Sequence, residues 1–322
     1  MMNKIYILAI LILIKSIPVF SQDTNYSEWY LQRPDVEIYV REEGTGNDTV
    51  LVVHGGFGAN HNYMLDAISG MKDKYHFVLY DQRGSLLSPC KKENLTFQKN
   101  VEDLYALVKA MRLKKVKLLC HSMGALVGME FIKQHPDLVS NVVFVSSIIP
   151  KSDSMKTVFS NRVFKQVDTL QKRPEIENLL KPYRDKGLDL INSFDALDSS
   201  QLTQKQLTDV WRINFAATNI YDVKKFNRVK GGRAYYKMDA SVMTESVNWN
   251  FDYRPVLNKL NSVTFIQGEF DYLDFYADVH RQLLKDYPKL KLRVVKNAGH
   301  YVWVDDADTY TTFIIEGLSP KN

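Results

Sequence analysis

The chain has 322 residues, of which 45% are hydrophobic and 25% are charged, a composition typical of globular proteins and too apolar for a disordered one. Its 42 Lys and Arg residues against 37 Asp and Glu residues give a net charge of +5. No stretch is dense in basic residues with interleaved aromatics, which is the pattern that nucleic-acid-binding proteins carry. We therefore expect no nucleic-acid partner.

The first 21 residues have the features of a secretory signal peptide. Lys4 supplies a positive charge, Ile5–Ile14 is an unbroken apolar run, and Ser21 is the small residue at a predicted cleavage site before Gln22. A helix needs about 20 apolar residues to span a bilayer, so this run is too short for a membrane anchor. The sequence thus predicts an exported protein, periplasmic or secreted, without stable membrane insertion.

Beyond this leader, short apolar runs alternate with segments of helical length. The predicted strands are, in chain order, Val36–Val40, Thr49–Val53, Tyr75–Tyr80, Val116–Leu119, Val142–Val145, Val263–Gln267 and Leu292–Val295. The predicted helices are Asn100–Met111, Met123–His135, Phe275–Asp286 and Val302–Glu316. Buried, β-branched strands that alternate with helices indicate an α/β protein with a mostly parallel sheet flanked by helices.

The alternation stops over a long polar stretch, residues 150–255. We predict that this stretch forms a helical lid, inserted after the sixth strand, which divides the core into residues 22–149 and 256–322. Insertions of this kind usually lie over the ligand crevice at the carboxyl ends of the strands. Residues 151–250 carry 17 Lys and Arg against 12 Asp and Glu, which makes the lid basic. A separate folding unit with no role at the site is the alternative.

The most informative motif lies where a predicted strand runs straight into a predicted helix, at His121-Ser122-Met123-Gly124. A nucleophile elbow needs this arrangement, because a tight turn lifts one Ser above the sheet edge and small neighbours let strand and helix approach. Ser122 is therefore the candidate nucleophile. The Met123 amide, at the helix N-terminus, would donate to the oxyanion that develops on the substrate. Cys120 stands where glycine is usual and is still small.

A second glycine-rich segment, His54-Gly55-Gly56-Phe57-Gly58, ends an earlier strand. Glycines at this point let backbone amides turn toward a substrate oxygen and supply a second oxyanion donor. A plain glycine-rich turn is the alternative.

A Ser nucleophile needs a base, and the imidazole base needs a carboxylate to orient it. Of the seven His residues, only His300 lies in a loop after a late strand. The acid candidate is Asp271, four residues past Gln267 in a turn that leaves a strand, with Glu269 and Asp274 as competitors. The order Ser122, Asp271, His300 is the one that α/β hydrolases use.

The remaining His and Cys residues are interpreted as structural. His54 and His121 flank glycine turns and are expected to make structural contacts, whereas the other four, which are surface or core residues in this interpretation, are His61, His76, His135 and His280. With only Cys90 and Cys120, a disulfide between them stays open, and no cysteine remains for a zinc site. The chain has no H-E-x-x-H motif, so we expect no metal and no cofactor.

These motifs resemble the α/β-hydrolase superfamily and, within it, the proline iminopeptidase-like branch of serine peptidases. The resemblance covers the chain from about Val36 onward, and its motifs are His54–Gly58, Tyr80–Ser85, His121–Gly124, Gly268-x-x-Asp271 and Gly299-His300. It implies Ser122 as nucleophile, His300 as base and Asp271 as orienting acid. It also implies an oxyanion hole made of the Gly56 and Met123 amides. Asp81 and Arg83 would brace the loop beside the site.

Three departures from that branch bear on the substrate. Phe57 replaces the motif's proline and is a candidate substrate-binding residue, Cys120 replaces glycine, and the Asp81–Gly84 turn lacks a second glycine after it. Enzymes of that branch hold the free amine of the substrate with acidic lid residues, for which the candidates here are Asp222, Asp239 and Glu245.

The resemblance therefore favours an aminopeptidase that acts on short peptides through an acyl-enzyme. A carboxylesterase or lactonase for small esters is the alternative, because it needs no lid carboxylate and tolerates a basic lid. A non-catalytic binding protein with the same fold is a third class, against which the complete triad argues. The oligomeric state stays open.

Overall fold

The structure is a computed structural model, which describes residues 26–152, 158–185, 203–230 and 238–319. Within these ranges the side chains of residues 158–161, 204 and 238–241 are not described. The predicted signal peptide and its cleavage site before Gln22 lie outside the described residues.

Eight strands form one sheet. In chain order they are β1 (Tyr26–Gln32), β2 (Glu37–Glu43), β3 (Asp48–Val53), β4 (Tyr75–Tyr80), β5 (Val116–His121), β6 (Val139–Val145), β9 (Ser262–Gly268) and β10 (Leu290–Val295), with two short strands, β7 (Lys151–Ser152) and β8 (Phe251–Asp252), between β6 and β9. The spatial order is β1-β2-β4-β3-β5-β6-β9-β10. The β1–β2 and β2–β4 pairings are antiparallel, and all others in this sheet are parallel.

Helices cover both faces of this sheet. They are α1 (Asn62–Ile68), α2 (Phe97–Ala110), α3 (Gly124–Gln134), α4 (Val158–Gln171), α5 (Pro174–Arg184), α6 (Gln204–Asn219), α7 (Arg254–Leu257), α8 (Asp278–Leu284), α9 (Val302–Asp305) and α10 (Ala307–Leu318). Apolar residues of α2 and α3 lie in one core cluster, and those of α1, α9 and α10 lie in another. All six residues of β5 are buried, as expected for a central parallel strand with helices on both sides. The predicted α/β-hydrolase fold is thus confirmed.

Two predicted helices differ from those in the structure. The predicted helix Phe275–Asp286 starts with a 3-10 turn in which Tyr276 (φ 61°) and Ala277 (φ 54°) are left-handed, and regular helix begins only at Asp278. This turn lets the Asp274 carboxylate accept from the amides of Val279 and His280, at 3.1 and 2.9 Å. The predicted helix Val302–Glu316 is likewise two helices.

The segment between β6 and β9 is mostly helical where it is described. It holds α4, α5 and α6, the 3-10 helices Val223–Arg228 and Met238–Ser246, and the antiparallel pair β7–β8, which the sequence did not predict. The insertion has a small apolar core of its own, whose buried members are Ile176, Leu180, Val210, Ile213, Ala217 and Val223. The domain boundaries stay a prediction. In the described ranges, no helix has the length and apolar character needed to cross a bilayer.

Candidate active site

Ser122 lies in the sharp turn between β5 and α3. Its φ of 52° is in the left-handed region, which is costly for a residue with a Cβ, and its backbone N–H donates to the Val145 carbonyl at 3.0 Å. The turn is crowded on both sides, since a Cβ on Gly55 would lie 2.6 Å from the Ser122 Cβ, and one on Gly124 would collide with the His54 carbonyl oxygen. Ser122 therefore has the strained, closely packed backbone that a nucleophile elbow requires.

The two predicted oxyanion donors belong to segments that meet at the elbow: Met123 follows Ser122, and Gly56 follows Gly55, on which an added Cβ would lie 2.6 Å from the Ser122 Cβ. Gly56 has a φ of 64°, a conformation that favours glycine, and Met123 is the N-terminal flanking residue of α3. Among the described residues, neither backbone N–H donates to a protein acceptor. The N-terminal end of the 11-residue α3 adds a positive field at the same place.

The predicted acid and base meet after two neighbouring parallel strands. Asp271 follows β9 and His300 follows β10, and His300 Nδ1 lies 2.9 Å from Asp271 Oδ1. Both side chains are buried. The Leu273 amide also donates to Asp271 Oδ1, at 3.0 Å. This arrangement assigns the proton on Nδ1 to the Asp271 contact and leaves Nε2 of His300 to act as the base.

Two contacts place His300 beside the elbow. The ring of His121, the residue before Ser122, is 4.8 Å from the His300 ring, and His121 Nε2 lies 3.3 Å from the His300 carbonyl oxygen. Within the described chain, neither Ser122 Oγ nor His300 Nε2 has a hydrogen-bond partner in the protein. Catalytic hydrogen bonds are often long in the absence of substrate, so the geometry remains compatible with a Ser–His couple.

The two competing acids have other partners. Asp274 Oδ2 lies 2.8 Å from His280 Nδ1, and the Glu269 carboxylate accepts from the Asn297 amide at 3.0 Å. The structure therefore pairs His300 with Asp271 alone of the three candidates. It also pairs the fully buried His280 with the Asp274 carboxylate, a contact that no sequence pattern indicated.

A hydrogen-bonded chain links the elbow to the glycine loop. The Tyr63 hydroxyl accepts from the Gly55 amide at 2.5 Å and lies 2.8 Å from His121 Nδ1. At the other side of the same ring, His121 Nε2 donates toward the His300 carbonyl oxygen. Burial lowers the pKa of His121 well below its usual value, so the ring is neutral, as these contacts require. Sequence analysis missed Tyr63, because a single Tyr in a helix has no distinguishing signal.

The predicted structural residues near the site do make structural contacts. His54 Nδ1 donates to the Gly55 carbonyl at 2.9 Å, and its Nε2 accepts from the Gln82 amide at 3.0 Å. Asp81 Oδ1 accepts from His61 Nδ1 at 2.8 Å.

Arg83 is almost completely buried and braces the adjacent loop. Its Nε and Nη2 atoms form two bonds of 2.8 Å to the Asp103 carboxylate. Such a two-pronged contact fixes the orientation of both side chains, as the resemblance implied for this position.

The substrate-binding candidates lie in different places. Phe57 is 3% exposed and packs in the core, with its ring 6.3 Å from that of Phe97. Asp222 starts a 3-10 helix, where its carboxylate accepts from the Lys224 amide at 3.2 Å. Glu245 is exposed to solvent, and the side chain of Asp239 lies outside the described part of the chain.

Both cysteines are free thiols, and Cys120 is buried against α3. A search of the described residues finds no group of three or more His, Cys, Asp or Glu side chains arranged to hold a metal ion.

The fold family follows from comparison with known proteins. The sequence profile of the α/β hydrolase fold family matches residues 48–307 of this chain. The chain belongs to the α/β-hydrolase fold family. This match includes all the motifs that carry the candidate triad.

Individual relatives are distant. The proline iminopeptidase of Lactobacillus crispatus is 22% identical over 295 residues, which cover 88% of this chain and 94% of that protein. The proposed carbamate hydrolase RutD of Escherichia coli is 30% identical over 98 residues, which cover 30% of this chain and 35% of that protein. Among solved structures, the proline iminopeptidase-related protein of Thermus thermophilus has a TM-score of 0.60 at 19% identity, covering 91% of this chain and 98% of that one.

Proposed function

We propose that the protein is a serine hydrolase that forms an acyl-enzyme on Ser122. The observation that carries this proposal is the 2.9 Å contact between Asp271 and His300 beside an elbow Ser with φ 52°. In the first step His300 Nε2 takes the Ser122 hydroxyl proton while Oγ attacks the substrate carbonyl carbon. The Gly56 and Met123 amides receive the oxyanion of the tetrahedral intermediate.

The intermediate then collapses, and the carbon–nitrogen or carbon–oxygen bond to the leaving group breaks. His300 returns its proton to the departing amine or alcohol, which leaves the acyl group on Ser122. A water molecule, deprotonated by His300, attacks the ester, and the second collapse releases the acid and restores Ser122. Asp271 holds the His300 tautomer through both halves and stabilises the imidazolium that forms.

For the substrate we propose short peptides, from which the enzyme removes N-terminal residues. The glycine-loop and Asp81–Gly84 motifs support this class, as does the similarity to a proline iminopeptidase along 88% of the chain. The helical insertion between β6 and β9 would restrict the site to chain ends, since a covered pocket excludes folded proteins.

Small esters are the second candidate, and the lid acids favour it. Asp222 is engaged at the start of a 3-10 helix and Glu245 is exposed to solvent, so neither has the buried position that would hold a desolvated ammonium. Burying a substrate ammonium without a partner carboxylate would cost several kcal/mol of binding free energy. An ester substrate has no such requirement.

A matched substrate pair separates the two classes. Turnover of prolyl- and alanyl-arylamides is measured with free and with acetylated N-termini, alongside short-chain esters. Cleavage that disappears on acetylation identifies an aminopeptidase, whereas ester cleavage alone identifies an esterase. In either case a phosphonate probe should label Ser122, and labelling of another Ser would contradict the assignment of the nucleophile.

We also propose that the protein is exported and that it loses its first 21 residues. The apolar run Ile5–Ile14 and the small residue Ser21 support this proposal. N-terminal sequencing of protein from the periplasm or medium should begin at Gln22. Cytoplasmic protein that retains Met1 would contradict it.

A further inference from the structure

Gln267, the last residue but one of β9, lies between two of the Asp–His pairs among the described residues, Asp271–His300 and Asp274–His280. Its side chain is fully buried, and it lies between Asp271 of the candidate triad and His280 of the second pair. The side chains of Asp271, His280 and Ser147, which surround it, are also fully buried. A primary amide in such a place must satisfy its oxygen and its nitrogen, because an unpaired buried polar group is costly.

Two neighbours fix the orientation of the Gln267 amide. The Ser147 backbone N–H can only donate, and it lies 3.0 Å from one end of the amide, which must therefore be the oxygen. The Asp271 Oδ2 atom accepts, and it lies 3.1 Å from the other end, which must be the nitrogen. The amide thus donates to the carboxylate oxygen of Asp271 that does not face His300.

His280 lies on the other side of the Gln267 amide. Its Nε2 lies 3.1 Å from the Gln267 oxygen and 3.2 Å from Ser147 Oγ, and its Nδ1 lies 2.8 Å from Asp274 Oδ2. We take the ring as doubly protonated, so that it donates to both the Gln267 oxygen and the Asp274 carboxylate. The charged ring holds the Gln267 oxygen toward itself, and so it holds the nitrogen toward Asp271.

The lid helix α4 is attached at the far end of this chain. Arg162 Nη2 lies 3.3 Å from Asp274 Oδ1. The Gln166 amide nitrogen, in the orientation that satisfies both ends of the amide, donates to the Tyr272 carbonyl at 2.7 Å. The Tyr272 ring in turn lies 4.6 Å from the His300 ring. Both lid contacts therefore fall on the turn that carries the acid.

We infer that Gln267 is a positioning residue for Asp271, that the Asp274–His280 pair holds it in the donating orientation, and that Arg162 attaches the lid to this relay. The inference rests on the proposed triad. It predicts that the relay acts on the chemical step through Asp271 and leaves substrate binding unchanged.

The first test replaces Gln267. Gln267→Met keeps the volume and removes the donor, and we expect kcat to fall about 10- to 100-fold with KM within about twofold, as for a lost hydrogen bond to a charged group. Gln267→Glu places a second carboxyl group 3.1 Å from Asp271 Oδ2, where the two acids can share one proton. The shared proton replaces the lost donor, so kcat/KM should fall as the pH rises and this proton is released. Charged or titratable groups that face position 267 or its direct partners are Asp271, His300, His280, Asp274 and Arg162.

A second readout does not depend on turnover. We expect the His300 Nδ1 proton, which lies in the contact with Asp271, to give a low-field NMR resonance in the wild type, and Gln267→Met should shift or broaden it. The resonance could be present in the wild type and shifted in Gln267→Met while a phosphonate probe fails to label Ser122. In that case the positioning role stands and the proposed function fails. An unchanged resonance with unchanged kcat overturns the positioning role.

The lid attachment is tested with two variants that each remove one charge from the same cluster, a cation that contacts Asp274 and an anion that does not. Arg162→Met removes the contact to Asp274, and Asp278→Asn removes a carboxylate 3.9 Å from Arg162 Nη2 that is 53% exposed and outside the relay. We expect Arg162→Met to lower kcat several-fold and to shift the low-field resonance, and Asp278→Asn to do neither. Equal effects of both variants would contradict a specific attachment. Thermal unfolding tests whether each variant is folded. If Gln267→Met does not fold, Gln267→Glu and Arg162→Met test the positioning role instead.

Discussion

The Asp271–His300 and Asp274–His280 pairs have nearly the same internal geometry, with contacts of 2.9 and 2.8 Å, and their acids are three residues apart. Their surroundings differ. His300 lies beside the Ser122 elbow and among aromatic rings, and its second nitrogen is without a partner among the described residues. The second nitrogen of His280 faces a fully buried amide oxygen.

The comparison shows that an Asp–His contact does not by itself make a base. A base needs a second nitrogen that can exchange a proton with the reacting group. His280 also has a Ser hydroxyl nearby, since Ser147 Oγ lies 3.2 Å from its Nε2, but all three side chains are fully buried. The second constellation therefore has the composition of a triad without access to substrate.

The largest expected difference concerns the two Ser residues. Ser122→Ala should lower kcat by about 10⁴-fold or more, because it removes the nucleophile. Ser147→Ala should keep kcat within about threefold, because only the Oγ contacts to Gln267 and His280 are lost and the backbone N–H that orients Gln267 remains. Turnover of the best arylamide or ester is measured for both proteins after their folding is verified. A loss in Ser147→Ala as large as that in Ser122→Ala would break the comparison.

The next difference concerns the two acids. Asp271→Asn should lower kcat by about 10⁴-fold, because the amide favours the wrong His300 tautomer. Asp274→Asn should lower it only about tenfold, through the orientation of Gln267. Steady-state kinetics on the two variants gives the ratio directly. If Asp274→Asn were the less active, the assignment of the acid would be displaced by three residues.

The order reverses for stability. Asp274→Ala leaves the inferred His280 imidazolium without its carboxylate and removes the nearer of the two carboxylates beside Arg162, so the free energy of unfolding should fall by about 3 kcal/mol. Asp271→Ala leaves a neutral imidazole and should cost only about 1–2 kcal/mol. Urea unfolding at neutral pH measures both. Equal losses would show that the charge state of the second pair is not the one inferred from its contacts.

A buried His without a bonded carboxylate should affect stability only through the pH. Burial lowers the pKa of His54 to about 4, so the folded protein keeps this ring neutral. An unfolded His titrates near pH 6.5, so the stabilising contribution is complete above that value and is lost as the pH falls through about 4, a total of about 3 kcal/mol. Between pH 6.5 and 5 the free energy of unfolding should fall more steeply in the wild type than in His54→Gln. Parallel curves would contradict this account.

Much of the sheet was predictable because its strands are buried on both faces. The bounds of β4, Tyr75–Tyr80, were predicted without error, and β5 differs by two residues. In contrast β1, Tyr26–Gln32, was missed, because this edge strand mixes polar and aromatic residues and is mostly exposed. Edge strands lack the continuous apolar run that identifies buried ones.

The triad candidates were predictable because each one belongs to a short motif at the end of a strand. The relay was not, because Gln267 and His280 acquire their meaning only from a turn with two left-handed residues, Tyr276 and Ala277. Neither residue is a glycine, so composition gave no sign of the turn. The predicted start of a helix at Phe275 was wrong for the same reason, and the helix itself begins at Asp278.

The packing of Cys120 against α3 has an evolutionary consequence. The thiol occupies the space that glycine usually leaves at this elbow position, and the helix accommodates it at Gly128, where an added Cβ would lie 2.6 Å from Cys120 Sγ. An alanine at position 128 would therefore require the thiol to rotate or position 120 to become smaller. We expect the two positions to be coupled, so that the residue at one limits which residues the other accepts.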